Sequence, residues 1–179
     1  MTDLTPSPRA PLDALDVTLL ALIREHPRAG VLELSRLASV ARPTVQSRLS
    51  RMEADGIVTG YGPEIDLTAA GYPVQAFVAL EIAQGALEDV AEHLAAIPGV
   101  IEAHATTGAS DVLCRVAATS HADLQETLLA IDRAPVVVRS TSTVVLSVVV
   151  GARVLPLLSA RPRRTPSRAP AYRRATPSA

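Results

Sequence analysis

LSRLASVARPTVQSRLSRMEADGIVTGY, residues 34–61, reads as a short helix, a tight turn and a second helix with an outward polar face. On the second helix Val45, Leu49 and Met52 fall at i, i+4 and i+7, a narrow apolar stripe that docks it on a small core. At about 100° per residue, the opposite face carries Ser47, Ser50 and Arg51, flanked by Thr44, Gln46 and Arg48. Such side chains donate to phosphates and reach base edges, as a recognition helix does in a DNA major groove. Arg42 stands beside this helix, so Arg42, Thr44, Gln46, Ser47, Arg48, Ser50 and Arg51 form the candidate DNA-binding set. The plain alternative is a solvated helix face with ordinary polar residues.

Working outward, a first helix is expected from near Asp13, a capping residue, with Leu15, Leu19, Leu22 and Ile23 at helical spacing. It ends near His26-Pro27, where the proline ring forbids continuation. A second helix from about Val31 to Ala38 turns Leu34 and Leu37 inward. Pro43 suits the first turn of the recognition helix, and Gly56 suits the position just past its end. Ile57–Tyr61 reads as a short strand, closing a helix-turn-helix domain over residues 12–61. Residues 1–11 are Pro- and Ser-rich and expected to be disordered.

Composition narrows the function classes. Hydrophobic residues make up 48% but aromatics only 2%, so any core is built from Ala, Val, Leu and Ile. The single cysteine, Cys114, excludes an intramolecular disulfide and a CxxC metal site, and it sits in a strand-like run as a small hydrophobe. No metal and no cofactor are expected. No leading segment has a signal-peptide layout and no apolar run reaches spanning length, so a cytoplasmic, nucleoid-associated protein without membrane contact is expected.

The net charge of −1 is unevenly spread, and all seventeen basic residues are arginine. Residues 1–60 carry seven arginines against seven acids, and residues 61–152 three against eleven. Residues 153–179 carry seven arginines and no acid. An acidic middle argues against a protein that simply coats nucleic acid.

After a connector at 62–73, residues 74–152 show an internal repeat. VQAFVALEI (74–82) precedes a helix at 86–97 and a strand at 100–107. DVLCRVA (111–117) precedes a helix at 120–131 and a long strand at 136–150. Two such βαβ halves describe a ferredoxin-like βαββαβ domain, four antiparallel strands with both helices on one face. The fold class is therefore α+β. The first strand is apolar on both sides (Phe77, Val78, Ala79, Leu80), so the uncovered sheet face calls for a partner, and homodimerisation is the simple solution.

These residues resemble the Lrp/AsnC (feast/famine) transcriptional regulators. LDALDVTLLALIREHPRAGVLELSRLA looks like the family's opening helix pair, and ARPTVQSRLSRMEADGIVTGY like its recognition helix and the Gly-Ile-Val that follows. IPGVIEAHATTGASDVLCRVAA resembles its effector-domain core, so the likeness runs from about Leu12 to Val150. Ser39 stands where the family often has a turn glycine, and Ala41 where it often has a capping serine. The resemblance implies double-stranded operator DNA, dimers that assemble further, and an amino-acid effector.

The turn Thr106–Asp111 has chemistry of its own. Gly108 is free to take positive φ, and backbone N–H groups at such a turn can hold a carboxylate. Asp111 can pair with an ammonium, and Thr107 and Ser110 offer hydroxyls. The resemblance places the effector at Gly108 and Asp111, so Thr107, Gly108, Ser110 and Asp111 are the candidate effector-binding residues. The alternative is a hairpin whose aspartate caps local backbone. Thr141 and Thr143 match the family's Thr-x-Thr but are as readily surface strand residues.

Residues 153–179 are Arg-, Pro- and Ser-rich, expected to be disordered, and suited either to grazing phosphates or to solubility alone. Two other functions stand beside the regulator: a nucleoid-associated architectural protein without effector, and an enzyme like the sirohaem decarboxylases. The four histidines (26, 93, 104, 121) are scattered, only His104 lies near a candidate pocket, and the chain has no Trp and one Phe, which disfavours a tetrapyrrole enzyme.

Overall fold

The computed structural model describes residues 11–160; the expected N-terminal extension and most of the Arg-rich tail lie outside the described residues. The chain divides into two units, one of residues up to 62 together with those from 152 onward, the other Pro63–Gly151.

The first unit begins with α1 (Ala14–Glu25), α2 (Val31–Leu37) and α3 (Arg42–Ala54). A capping box starts α1: the Asp16 N–H donates to the Asp13 carboxylate at 3.0 Å, and the Asp13 N–H to the Asp16 carboxylate at 2.9 Å. The expected stripe holds, since Val45, Leu49 and Met52 are buried with Leu19 and Leu34 in one small core. Leu37 is a correction: it is exposed, and Ser35 takes the second buried position on α2.

Both α2 and α3 end in the same motif. After α3, the Gly56 N–H donates to the Glu53 carbonyl and the Ile57 N–H to the Met52 carbonyl, with Gly56 at φ 66°. After α2, the Ser39 N–H donates to the Arg36 carbonyl and the Val40 N–H to the Ser35 carbonyl, with Ser39 at φ 54°. Ser39 thus holds a left-handed conformation that glycine adopts without the Cβ clash. The strand expected at Ile57–Tyr61 does not form; Ile57 and Val58 instead fold back against the helical core, held through the Met52 carbonyl.

The second unit is a four-stranded antiparallel sheet with two helices, of order β2-β3-β1-β4. Its elements are β1 (Val74–Ile82), α4 (Leu87–Ala95), β2 (Val100–Ala105), β3 (Val112–Ala118), α5 (His121–Asp132) and β4 (Val137–Val144). This is the ferredoxin-like order read from the sequence repeat. Ala76, Val78 and Leu80 of β1 and Val112, Cys114 and Val116 of β3 form the core with Val90, Leu94, Leu124 and Ile131 of the helices. Gly99 is needed where α5 crosses, because a Cβ there would lie 2.9 Å from the Thr127 side chain. The alternate β1 residue Phe77, opposite Arg115 and Thr143, is exposed on the other face. β2 and β4 stop earlier than expected, at Ala105 and Val144. Beyond β4 one further bond, from the Val145 N–H to the Gln75 carbonyl, holds the chain to β1.

A short helix, α6 (Leu155–Ala160), falls inside the segment read as a disordered tail. It packs against α1, with Leu155 and Leu158 half-buried.

Candidate nucleic-acid interface and effector turn

The polar residues of α3 divide into two sets. Arg42, Thr44, Gln46, Ser47 and Ser50 are exposed, and Gln46 Nε2 donates to Ser50 Oγ at 3.3 Å, one helical turn on. Arg48 and Arg51 are only partly exposed and face α1 instead. Arg48 donates to the carboxylates of Asp13 and Asp16, the latter at 3.1 Å, and Arg51 donates to Asp16 at 2.6 Å. Arg51 also lies 3.7 Å from Asp55 on its own helix.

The physical reason is Asp16. Its side chain is 0% exposed, so its charge must be compensated inside the protein, and two guanidinium groups do this. The second carboxylate of the capping box therefore has two functions: it caps α1 and it clamps α3. Burial pushes the Asp13 carboxyl up, but the Asp16 N–H and Arg48 outweigh this and leave it below its ordinary value. In turn Asp13 and Asp16 raise the Arg48 guanidinium further. The expectation that Arg48 and Arg51 reach DNA is thus at odds with their geometry. Nothing in a helical wheel of α3 alone reveals an acceptor about 35 residues earlier, although Asp13 and Asp16 one turn apart in an apolar helix were the available signal.

The turn from Thr106 to Asp111 is closed by its own bonds. The Thr106 N–H donates to the Asp111 carbonyl at 2.8 Å, and Thr106 Oγ1 donates to the Ser110 carbonyl at 2.7 Å. Gly108 has φ 119°, as its position demanded. The Asp111 carboxylate accepts the Ile82 N–H at 2.9 Å, just past Leu80–Val112, the last pair of the β1–β3 ladder. Thr107, Gly108 and Asp111 are exposed and Ser110 is half-buried. Thr106, passed over as a candidate, is the side chain that staples the turn.

Elsewhere in this unit a cleft of about 810 Å³ is lined by Tyr72, Ile97, Ile101, Leu129 and Arg133 among others, and none of the four candidate effector residues lines it. On the open sheet face Arg115 donates to Glu102 at 3.0 Å and to Gln75 at 3.2 Å, and His104 lies 3.5 Å from Glu102. Thr141 and Thr143 are exposed on β4, opposite Ala79 and Phe77. Burial pushes the Cys114 thiol up to about 11, in keeping with a packing role rather than a thiolate nucleophile. Among the described residues no three His, Cys, Asp or Glu gather as a metal site, and no helix is long and apolar enough to cross a membrane.

Known families cover both units. Residues 12–53 match the AsnC-type helix-turn-helix domain, and residues 75–155 match the Lrp/AsnC ligand binding domain. An HTH-type transcriptional regulator of Mycobacterium tuberculosis is 33% identical over 138 residues, which is 76% of this chain and 93% of that protein. The chain belongs to the Lrp/AsnC family. It is a transcriptional regulator with a helix-turn-helix and a ligand-binding domain. The regulator FL11 of Pyrococcus horikoshii is 27% identical over 77% of this chain and 91% of its own. Escherichia coli AsnC shares the fold, with a TM-score of 0.76 at 23% identity, covering 82% of this chain and all of AsnC. A Neisseria meningitidis regulator, solved as a complex with L-Met, aligns with a TM-score of 0.72 at 26% identity, covering 78% of this chain and 93% of its own.

Proposed function

We propose that this Lrp/AsnC regulator binds a specific operator in double-stranded DNA through the exposed face of α3, as a homodimer. The observation that carries the reading is the division of α3. Its apolar stripe and two arginines hold the helix, while Arg42, Thr44, Gln46, Ser47 and Ser50 stay exposed. Exposed glutamine, serine and threonine on a helix are the residue types that read base edges in the major groove. Arg42 supplies phosphate contact at the helix start.

The open sheet face supports the dimer. Phe77 is 42% exposed beside Ala79 and Leu113, an apolar strip that a second copy would cover. Two α3 helices related by a two-fold axis read a palindromic site, with half-sites about one helical turn apart.

The effector reading places an amino acid at Thr107, Gly108, Ser110 and Asp111, where it biases how dimers associate and hence the spacing of recognition helices. The L-Met complex of the Neisseria relative supports an amino acid as the ligand class. A second reading, an architectural DNA-binding protein without effector, draws on Asp111: its carboxylate already serves the Ile82 N–H and so has a structural use. Catalysis has less support, because Arg115 and His104 are both engaged with Glu102 on the open face.

A mobility shift on the fragment upstream of the protein's own gene, with and without a pool of amino acids, tests these readings. Specific binding that one amino acid shifts supports the effector-dependent regulator. Specific binding with no shift removes the effector from the turn. Equal binding to random DNA favours the architectural reading.

A further inference from the structure

We propose that the cleft between α5 and the loop at 97–99 is a second small-molecule site of the ligand-binding unit, built for a zwitterion whose two charges stand at opposite ends of an apolar chain. None of the residues of the 107–111 turn lines it, so the site stands whether or not that turn holds an effector.

The cleft has the size and lining of a ligand site. Its volume of about 810 Å³ falls in the range of about 300–1,000 Å³ usual for small-molecule pockets, which are mostly apolar with a few placed polar groups. Ile97, Ile101, Leu129 and Ala130 supply apolar lining, and Ile101 and Leu129 are left exposed there. Leu67 and Tyr72 join them from the segment before β1. That segment is set by its own turn: the Asp66 carboxylate accepts the Thr68 and Ala69 N–H groups, and the Tyr72 N–H donates to the Leu67 carbonyl at 2.7 Å.

The charges in the cleft are not equally available. The Asp123 carboxylate accepts both the N–H and the Oγ1–H of Thr119 at 2.8 Å, which holds it below its ordinary value and commits it to local backbone. Thr127 is also used, donating to the Asp123 carbonyl at 3.0 Å. Among the described residues, the side chains of Glu126 and Arg133 have no hydrogen-bond or ion-pair partner. Both line the cleft, Glu126 on α5 and Arg133 at its C-terminal cap.

Their spacing selects the ligand. Seven residues are almost two full helical turns, so the two share one face, about 10 Å apart along the axis. Leu129 and Ala130 lie between them on that face. An α-amino acid carries both charges on one carbon and cannot engage both ends. An extended chain with an ammonium at one end and a carboxylate at the other can. Its ammonium meets Glu126, its carboxylate meets the planar donor fork of Arg133, and its methylenes cover Leu129 and Ile101.

The test is calorimetric titration of the full chain with 6-aminohexanoate and with tri-L-alanine, which separate an ω-amino acid from a short peptide. L-leucine, hexanoate and hexylamine serve as ligands that lack the separated charge pair. The site predicts saturable binding of at least one of the first two, at least fivefold tighter than any of the other three. Glu126→Gln and Arg133→Gln should each weaken that binding at least fivefold. The exchange variant Glu126→Arg, Arg133→Glu reverses the polarity of the cleft and should recover most of the lost affinity for 6-aminohexanoate, which can enter in the opposite direction. No saturable binding of either probe, equal binding of L-leucine, or affinity unchanged in both single variants would overturn the site. Because DNA binding is not read, any of these results leaves the operator reading standing.

Discussion

The polar residues of α3 serve opposite purposes with similar side chains. Arg42, Thr44, Gln46, Ser47 and Ser50 are left to solvent. Arg48 and Arg51, on the same helical stripe as Thr44 but further along the helix, instead converge on a carboxylate with no solvent exposure at all. Residue type does not separate these sets, since arginine appears in both. What separates them is the buried charge of Asp16, which needs compensation and takes the nearest cations. A polar helix face is thus a mixture of residues that read a partner and residues that hold the helix still.

The comparison breaks most sharply at Asp16. Asp16→Ala leaves two guanidinium groups without their shared acceptor and removes half of the capping box. It should destabilise the DNA-binding unit by about 3–5 kcal/mol, seen as an early transition in urea. A loss below about 1 kcal/mol would mean that the clamp contributes little.

Acid should weaken the same cluster without mutation. The Asp13 carboxyl titrates below its ordinary value in the folded protein. Its contribution is therefore complete above the unfolded carboxylate range, near pH 4, and is lost as pH falls through the lower folded value. Asp13→Asn should flatten that acid limb in urea melts recorded across pH. An unchanged limb would place the sensitivity elsewhere.

A paired experiment sharpens the division. Arg51→Ala should lower stability by about 1–3 kcal/mol, because a buried charge loses one of its partners. Arg42→Ala should leave the melt unchanged but weaken DNA binding by about 1 kcal/mol and reduce the salt slope by about 1. The opposite pattern, with Arg51 lowering affinity at constant stability, would return Arg51 to the DNA contacts.

The smallest effect is expected where the two helix ends differ. Gly56 and Ser39 occupy the same left-handed position after α3 and α2, and only Ser39 has a Cβ. Ser39→Gly should stabilise the unit by about 0.5–1 kcal/mol, since relief of the strained φ outweighs the added freedom of the unfolded chain. Destabilisation on thermal melting would show that the serine side chain has a role of its own.

Those contrasts explain how much the sequence disclosed. Val45, Leu49 and Met52, and the two βαβ halves, were legible because periodic burial repeats within a short window. Pro27 and Gly56 marked helix ends through backbone chemistry that is strictly local. The clamp was not legible, because it joins residues 13 and 16 to 48 and 51, and only folding brings them together. The Ile57–Tyr61 strand was misread for a similar reason. Ile57 and Val58 are β-formers by type, but the helical core beside them offers more burial than a strand without a partner. Leu37 shows the limit of periodicity on a seven-residue helix, where two turns cannot define a face. At the 107–111 turn, the glycine was readable from its conformation, but the engagement of Asp111 with Ile82 joins residues 29 apart in the chain that only the fold brings together.

The most direct test of this division of α3 is a triple substitution on its exposed face, Thr44→Ala, Gln46→Ala and Ser47→Ala, measured by titration against the upstream duplex and its shuffled counterpart. The account predicts an unchanged melting profile and a loss of discrimination of at least tenfold, with residual binding to both duplexes set by salt alone. Discrimination retained at its original value would contradict it and move sequence reading away from this face of α3.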